Sequence, residues 1–374
     1  MAAFEKLKKF ESGKSAQAIL LLLDITEKTN KNGGTFCQLL FSDGAEKQQA
    51  LMWDVKKESY KAFINKLVKV VIKPESYKNS ISFIVSSVEL AAPDKYKVKD
   101  FIISAPIESD KMYDVLLDTA ANYDGADSIL YKVTENIFRK YKEKLLYWAG
   151  AKTVHHNFYG GLLYHLYRMV RMGHVLLSIY PLHKDVLITG ILLHDIGKLK
   201  IPVEVLNKPG KYTDEEFALV KQHPKFGYDI LKSLPLDSHV KKAVLCHHER
   251  SDGSGYPTGL SQSDIDEYAA IVSIADVYDA MTAARSYRAP LCVFQVINNF
   301  EHDGLSKYNP KFILTFLSHI AGTYQNNRVL LNDGRVANIV MLNRNRLSKP
   351  IIQLMDGSCI DLSTQPDLHI QSVL

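Results

Sequence analysis

The chain has 374 residues, long for one ordinary domain, so two or three are expected. Hydrophobic residues make up 46% and charged residues 23%, which excludes a disordered or fibrous chain. The formal charge of +5 lies entirely in the first 100 residues, which hold 17 Lys and no Arg against 12 acidic residues. A basic first domain invites an anionic partner such as nucleic acid, and it equally fits a solvated Lys-rich surface. Four cysteines, Cys37, Cys246, Cys292 and Cys359, show no CxxC spacing and read as reduced thiols. "MAAFEKLKKFESGK" has no signal-peptide core, and runs such as "AILLLL" fall far short of a membrane span. A soluble cytoplasmic protein with no membrane association is expected.

Up to about Leu90 the pattern is β. "SAQAILLLLDITEKT", "TFCQLLFSD" and "GAEKQQALMWD" give three strands separated by turns. "VKKESYKAFINKL" has helical spacing at Tyr60, Phe63, Ile64 and Leu67. "VKVVIKPESYKNSISFIVSSVEL" adds two more strands around a loop. Three strands, a helix and two strands is the order of a five-stranded OB-type barrel over 1–92. Such barrels bind single-stranded RNA or DNA by stacking bases on aromatic rings, for which Phe36, Phe41, Trp53 and Tyr77 are candidates. Barrel packing, partner docking or dimerisation are the competing roles. Residues 93–150 read as a helical connector, with periodicity in "DKMYDVLLDTAANY" and "DSILYKVTENIFRKYKEKLLYW".

From about His155 the chain turns helical and rich in His and Asp. His165, His194, Asp195, His223, His247, His248 and Asp276 each sit on or at the end of an apolar helical stretch. Any one of them could be a structural polar residue, but seven within one helical region point to a metal centre. Imidazole with carboxylate suits Fe, Mn, Zn, Co or Ni. A buried Asp in "LLHDIG" is costly unless it meets cations, and bridging two of them resolves that cost. Lys198, one helical turn beyond Asp195, is placed to clamp a phosphate oxygen.

"HDIGK", with His165 upstream and Asp276 downstream, resembles the HD-domain phosphohydrolases. "LNKPGKYTDEEFALVKQHPKFGYDIL", "HHERSDGSGYP" and "SIADVYDAMTAARSYRAP" resemble the HD-GYP subfamily, metal-dependent phosphodiesterases of cyclic di-GMP and related cyclic dinucleotides. This resemblance covers roughly 155–374. Together with the barrel it implies a multidomain α+β chain: the OB-type β-barrel, an all-α HD-type bundle over 151–320 holding the metal site, and a small β subdomain over 321–374. It implies His165, His194, Asp195, His223, His247, His248 and Asp276 as metal ligands, with Asp195 bridging. Asp195 and Lys198 would be catalytic. Lys198, Arg285 and Arg288 would grip substrate, and Asp252, Gly253, Gly255, Tyr256 and Pro257 would form one wall of its pocket. Some relatives carry a Glu one turn before the first His and bind a third metal. Gly161 stands there in this chain, so two metals are expected, Fe or Mn foremost.

A second resemblance covers about 1–200. The barrel, the connector and "YKEKLLYWAGAKTVHHNFYGGLLYHLYRMVRMG" are similar to the bacterial OB-plus-HD 3′-to-5′ exoribonucleases. It would place His155 and His156 at phosphate, at a metal or at a helix start. Both families imply two-metal hydrolysis of a 3′-5′ phosphodiester. A cyclic dinucleotide is the first expected substrate and single-stranded RNA or DNA the second. A degenerate nucleotide sensor is a third reading, which the intact ligand set opposes. The sequence is compatible with an oligomer.

Overall fold

The computed structural model describes residues 13–30, 33–64, 66–77, 80–92, 96, 98–101, 105–147, 160–206, 212–283 and 291–374. The chain folds as two units, Met1–Pro106 and Ile107–Leu374. Among the described residues, no helix is long and apolar enough to cross a membrane.

The first unit is a closed barrel of β1 (Ala16–Thr29), β2 (Thr35–Ser42), β3 (Lys47–Trp53), β4 (Leu67–Tyr77) and β5 (Ser80–Leu90), in the order β1-β2-β3-β5-β4. Its neighbouring strands are antiparallel except β3 and β5, which close the barrel in parallel. Strand β1 pairs with β4 through Ala16–Leu21 and with β2 through Leu21–Thr29. A register shift between Leu22 and Asp24 bends it from one partner to the other. Alternation then sends Leu20, Leu22, Leu39, Phe41, Val70 and Ile72 inward. Phe41, a stacking candidate from sequence, is therefore in the core and cannot stack on a base.

The helix expected after β3 is instead two 3-10 turns, Lys57–Ser59 and Lys61–Phe63. Leu67, the fourth apolar position of the helical pattern, already belongs to β4. The remaining segment is too short to propagate an α-helix. Tyr60, Phe63 and Ile64 still pack on the barrel core, so the spacing signals a packed face correctly and the helix type wrongly.

The second unit opens with α1 (Ser109–Asp124), α2 (Ile129–Lys140) and α3 (Lys142–Tyr147). They pack against α4 (Gly161–Ile179) and α5 (Lys184–Leu193). Helix α5 is buried from Val186 to Leu193, as its continuous apolar sequence requires. Then come a 3-10 turn at Ile196–Lys200, α6 (Val203–Leu206), α7 (Asp214–Val220), α8 (His223–Leu231), α9 (Ser238–Cys246), α10 (Glu267–Thr282), α11 (Val293–Asn299), the short α12 (Leu305–Lys307) and α13 (Pro310–Gly322). The chain ends in an antiparallel sheet, as expected of its C-terminal segment. Its strands are β6 (Arg328–Leu331), β7 (Val336–Met341), β8 (Ile351–Leu354), β9 (Cys359–Asp361) and β10 (Ile370–Val373), ordered β10-β6-β7-β8-β9.

Candidate metal centre

Five α-helices and one 3-10 turn deliver the site. His165 comes from α4, His194 caps α5, and Asp195 opens the following 3-10 turn. His223 begins α8, His247 and His248 follow α9, and Asp276 lies on α10. The close approach of the 3-10 turn to α8 depends on Gly197. A Cβ there would lie 1.9 Å from the His223 carbonyl oxygen and 2.5 Å from the Gly227 nitrogen. The glycine of "HDIGK" thus lets Asp195 and His223 share one site.

Hydrogen bonds fix which imidazole nitrogen faces inward. Nδ1 of His194 donates to the Ile191 carbonyl at 2.7 Å, Nδ1 of His223 to Val220 at 2.8 Å, and Nδ1 of His247 to Val244 at 3.0 Å. Nδ1 of His165 meets the Asp279 carboxylate at 2.9 Å. Carbonyls and carboxylates accept, so Nδ1 carries the proton in each ring and Nε2 presents a lone pair.

Those four lone pairs form two facing pairs. Nε2 of His165 lies 3.2 Å from Nε2 of His194, and Nε2 of His223 lies 3.2 Å from Nε2 of His247. Asp195 stands between the pairs. Its Oδ2 is 3.5 and 3.4 Å from the first two nitrogens, and its Oδ1 is 3.3 and 3.7 Å from the second two. Asp276 Oδ1 joins the first pair, 3.4 Å from His165, and His248 joins the second in a cluster with His223 and His247. The four imidazoles and Asp195 are at most 2% exposed, and Oδ1 of Asp195 accepts no hydrogen bond among the described residues. Lone pairs aimed at one another and at a buried carboxylate oxygen are the donor set of cations, and borderline divalent metals suit this mixture of imidazole and carboxylate.

The electrostatics agree. Burial pushes His194 down to about 3 and lowers His223 and His248 as well, keeping these imidazoles unprotonated near neutrality. Burial also acts on His165, but its hydrogen bond with Asp279 and the nearby carboxylates raise it above the usual imidazole value. Burial opposes the charge on Asp195, yet Lys198 and His194 hold its carboxyl well below the usual carboxylate range. Lys198 Nζ lies 2.6 Å from Asp195 Oδ2 at the edge of the cluster.

All seven sequence-identified His and Asp residues thus converge. Tyr256 of the glycine-rich loop stacks on His248, with centroids 4.7 Å apart and planes at 30°. Gly255 lies against the backbone of Glu249 and Arg250, with no room for a Cβ. Gly253 takes the left-handed conformation at the loop's turn. Pro257 is half-buried, and Asp252 is exposed with its carboxylate turned back onto Ser254. Phe36 and Trp53 lie together on the barrel, centroids 5.0 Å apart, with Trp53 46% exposed. Arg285, Arg288, His155 and His156 lie outside the described residues, as does the side chain of Tyr77.

Three supporting residues, Asp279, Arg168 and Glu249, escape the sequence reading. Asp279 orients His165 and is itself bonded by Arg168, whose Nη2 also reaches Thr282 at 3.1 Å. Both are findable by helical spacing: Asp279 follows Asp276 by three residues, and Arg168 follows His165 by three. Glu249, 2% exposed, accepts the backbone N–H groups of Thr258, Gly259 and Leu260 at 2.7, 3.0 and 3.0 Å. It ties down the loop that carries Tyr256.

Comparison with known proteins finds likenesses over this region. Residues 181–312 match the HD domain model. The chain is 30% identical to a 3′-5′ exoribonuclease YhaM of Oceanobacillus iheyensis, over 50% of this chain and 60% of that protein. It is 47% identical to a cyclic di-GMP phosphodiesterase of Pseudomonas aeruginosa, over 29% of this chain and 26% of that protein. A Geobacillus YhaM is 26% identical over 69% of this chain and 82% of its own length. The first two alignments therefore span less than two thirds of those relatives. His194, Asp195, His223, His247, His248 and Asp276 all fall inside the segment 181–312 that matches the HD domain model.

Proposed function

We propose that this protein is a metal-dependent phosphodiesterase that hydrolyses 3′-5′ phosphodiester bonds, with a cyclic dinucleotide such as cyclic di-GMP as its substrate. The observation that carries the reading is the pair of facing imidazole pairs joined by the two oxygens of Asp195. In this reading His165, His194 and Asp276 hold one divalent ion, His223, His247 and His248 hold a second, and Asp195 serves both. Fe or Mn fits the donor set best, and Zn, Ni or Co is compatible with it. The cations supply Lewis-acid activation of water and neutralise charge at the phosphate. Asp279 keeps the His165 proton on Nδ1, so that Nε2 stays a ligand. Lys198 offers a cation beside Asp195 for a phosphate oxygen, and Arg285 and Arg288 are assigned the same task by their place in "ARSYRAP". The loop from Asp252 to Pro257, anchored by Glu249, forms one wall of the pocket.

A second reading has its own support. Trp53 is half-exposed beside Phe36, and Lys28 is the β1 partner of Phe36. Two rings and an ammonium on adjacent strands are the elements of single-strand binding. The same hydrolytic centre would then trim RNA or DNA from its 3′ end. Incubating Mn²⁺-loaded protein with cyclic di-GMP and, in parallel, 5′-labelled single-stranded RNA separates the two. Loss of the cyclic dinucleotide with intact RNA supports the first reading, and a ladder of shortened RNA with untouched cyclic dinucleotide overturns it.

A further inference from the structure

The geometry points to a nucleobase-stacking subsite formed by Tyr256, Lys221 and Phe217 at the rim of the His/Asp cluster. It rests on the phosphodiester reading above, in which Tyr256 already belongs to the pocket wall, and adds Lys221 and Phe217, to which that reading gives no role.

The rim is continuous. Tyr256 stacks on His248, one of the clustered imidazoles. The Lys221 ammonium lies 6.0 Å from the Tyr256 ring centroid and 4.7 Å from that of Phe217. Imidazole, phenol, ammonium and phenyl thus run outward from the buried cluster to a ring that is 47% exposed. The backbone holds the outer pair in place. A capping box between Thr213 and Glu216 starts α7, and the Lys221 N–H bonds the Phe217 carbonyl at 3.0 Å. Two residues further on, the chain delivers His223 into the cluster.

Core packing does not account for Phe217, because α7 buries none of its residues. A Lys over a Phe one turn away is common on a solvated helix, but here the same ammonium also faces Tyr256, which touches the cluster. A phosphodiester at the cluster carries a nucleobase on each side, and every base offers a flat face that stacks on an aromatic ring regardless of sequence. Tyr256 and Phe217 supply two such rings, and Lys221 supplies a positive charge for the adjoining phosphate.

Equilibrium binding tests the subsite without relying on turnover. The probe is a phosphorothioate-linked 2-aminopurine dinucleotide, whose fluorescence falls when its bases stack, titrated into the Mn²⁺-loaded full chain. Wild-type protein is expected to quench it. Phe217→Ala should weaken binding about fivefold or more, while Phe217→Trp retains it. Lys221→Met should weaken binding and lessen its dependence on salt concentration. A base-free dinucleotide analogue should be insensitive to Phe217→Ala. Failure of the wild type to bind, equal affinities across the variants, or equal weakening for the base-free analogue overturns the subsite. Rim-dependent binding by a wild-type protein that cleaves no phosphodiester would uphold the subsite and overturn the hydrolytic reading.

Discussion

Asp279→Asn is the most informative single change, because it alters no proposed ligand. The carboxylate accepts from His165 Nδ1 at 2.9 Å on one oxygen and from Arg168 Nε on the other, and it is 4% exposed. Asparagine keeps the shape but offers only one acceptor. If its oxygen faces His165, its NH₂ group meets the Arg168 guanidinium, donor against donor. If its NH₂ group faces His165, the imidazole proton must move to Nε2, removing a lone pair from the cluster. Losing one charge-assisted hydrogen bond costs about 1.5–3 kcal/mol. That agrees with the 10- to 100-fold loss, about 1.4–2.7 kcal/mol, typical when a group orienting a metal-bound histidine is removed. Competition with a fluorescent chelator should therefore show Mn²⁺ affinity at least about tenfold weaker, with the circular dichroism spectrum unchanged. Affinity within twofold of wild type would refute the claim that Asp279 sets the His165 tautomer.

Three further outcomes follow from the same geometry. Asp195→Ala should abolish phosphodiester hydrolysis while the protein keeps its fold, since both imidazole pairs lose their shared oxygen ligand; turnover at the wild-type rate contradicts the bridging role. Gly197→Ala places a methyl group 1.9 Å from the His223 carbonyl and should cost about 3 kcal/mol in urea denaturation; an unchanged midpoint would show that the 3-10 turn and α8 separate freely. Burial raises Asp124 from 3.8 to about 6, despite a hydrogen bond from Thr189 that favours its charged form. The folded protein therefore holds this proton more tightly than the unfolded chain. The resulting destabilisation is absent below about pH 4, grows through about pH 6 and is complete above it. Asp124→Asn should raise Tm more at pH 7.5 than at pH 4, and a pH-independent difference would remove Asp124 as the cause.

The barrel is legible in the sequence because its strands are short apolar runs broken by turn residues, a signal that survives without neighbours. The segment at 57–63 misleads because residues three and four apart pack one face in short 3-10 turns as they do in an α-helix. Phe41 cannot be assigned from sequence, since whether an aromatic points into a barrel or out depends on register, which β1 resets with its bulge. The seven clustered His and Asp residues are readable from residue type and order. Their supports are harder to see: helical spacing puts Asp279 on the face of Asp276 and Arg168 on the face of His165, but that the two pair with each other and with His165 follows only when α4 and α10 come together. Glu249 likewise acts through backbone groups nine to eleven residues away.

The central claim is that Asp195 joins two cation sites, one on each imidazole pair. Anomalous diffraction from crystals of the full chain grown with Mn²⁺ tests it directly. The account predicts two manganese peaks, one among His165, His194 and Asp276 and one among His223, His247 and His248, with an Asp195 oxygen on each. A single peak, or none within this cluster, would contradict it.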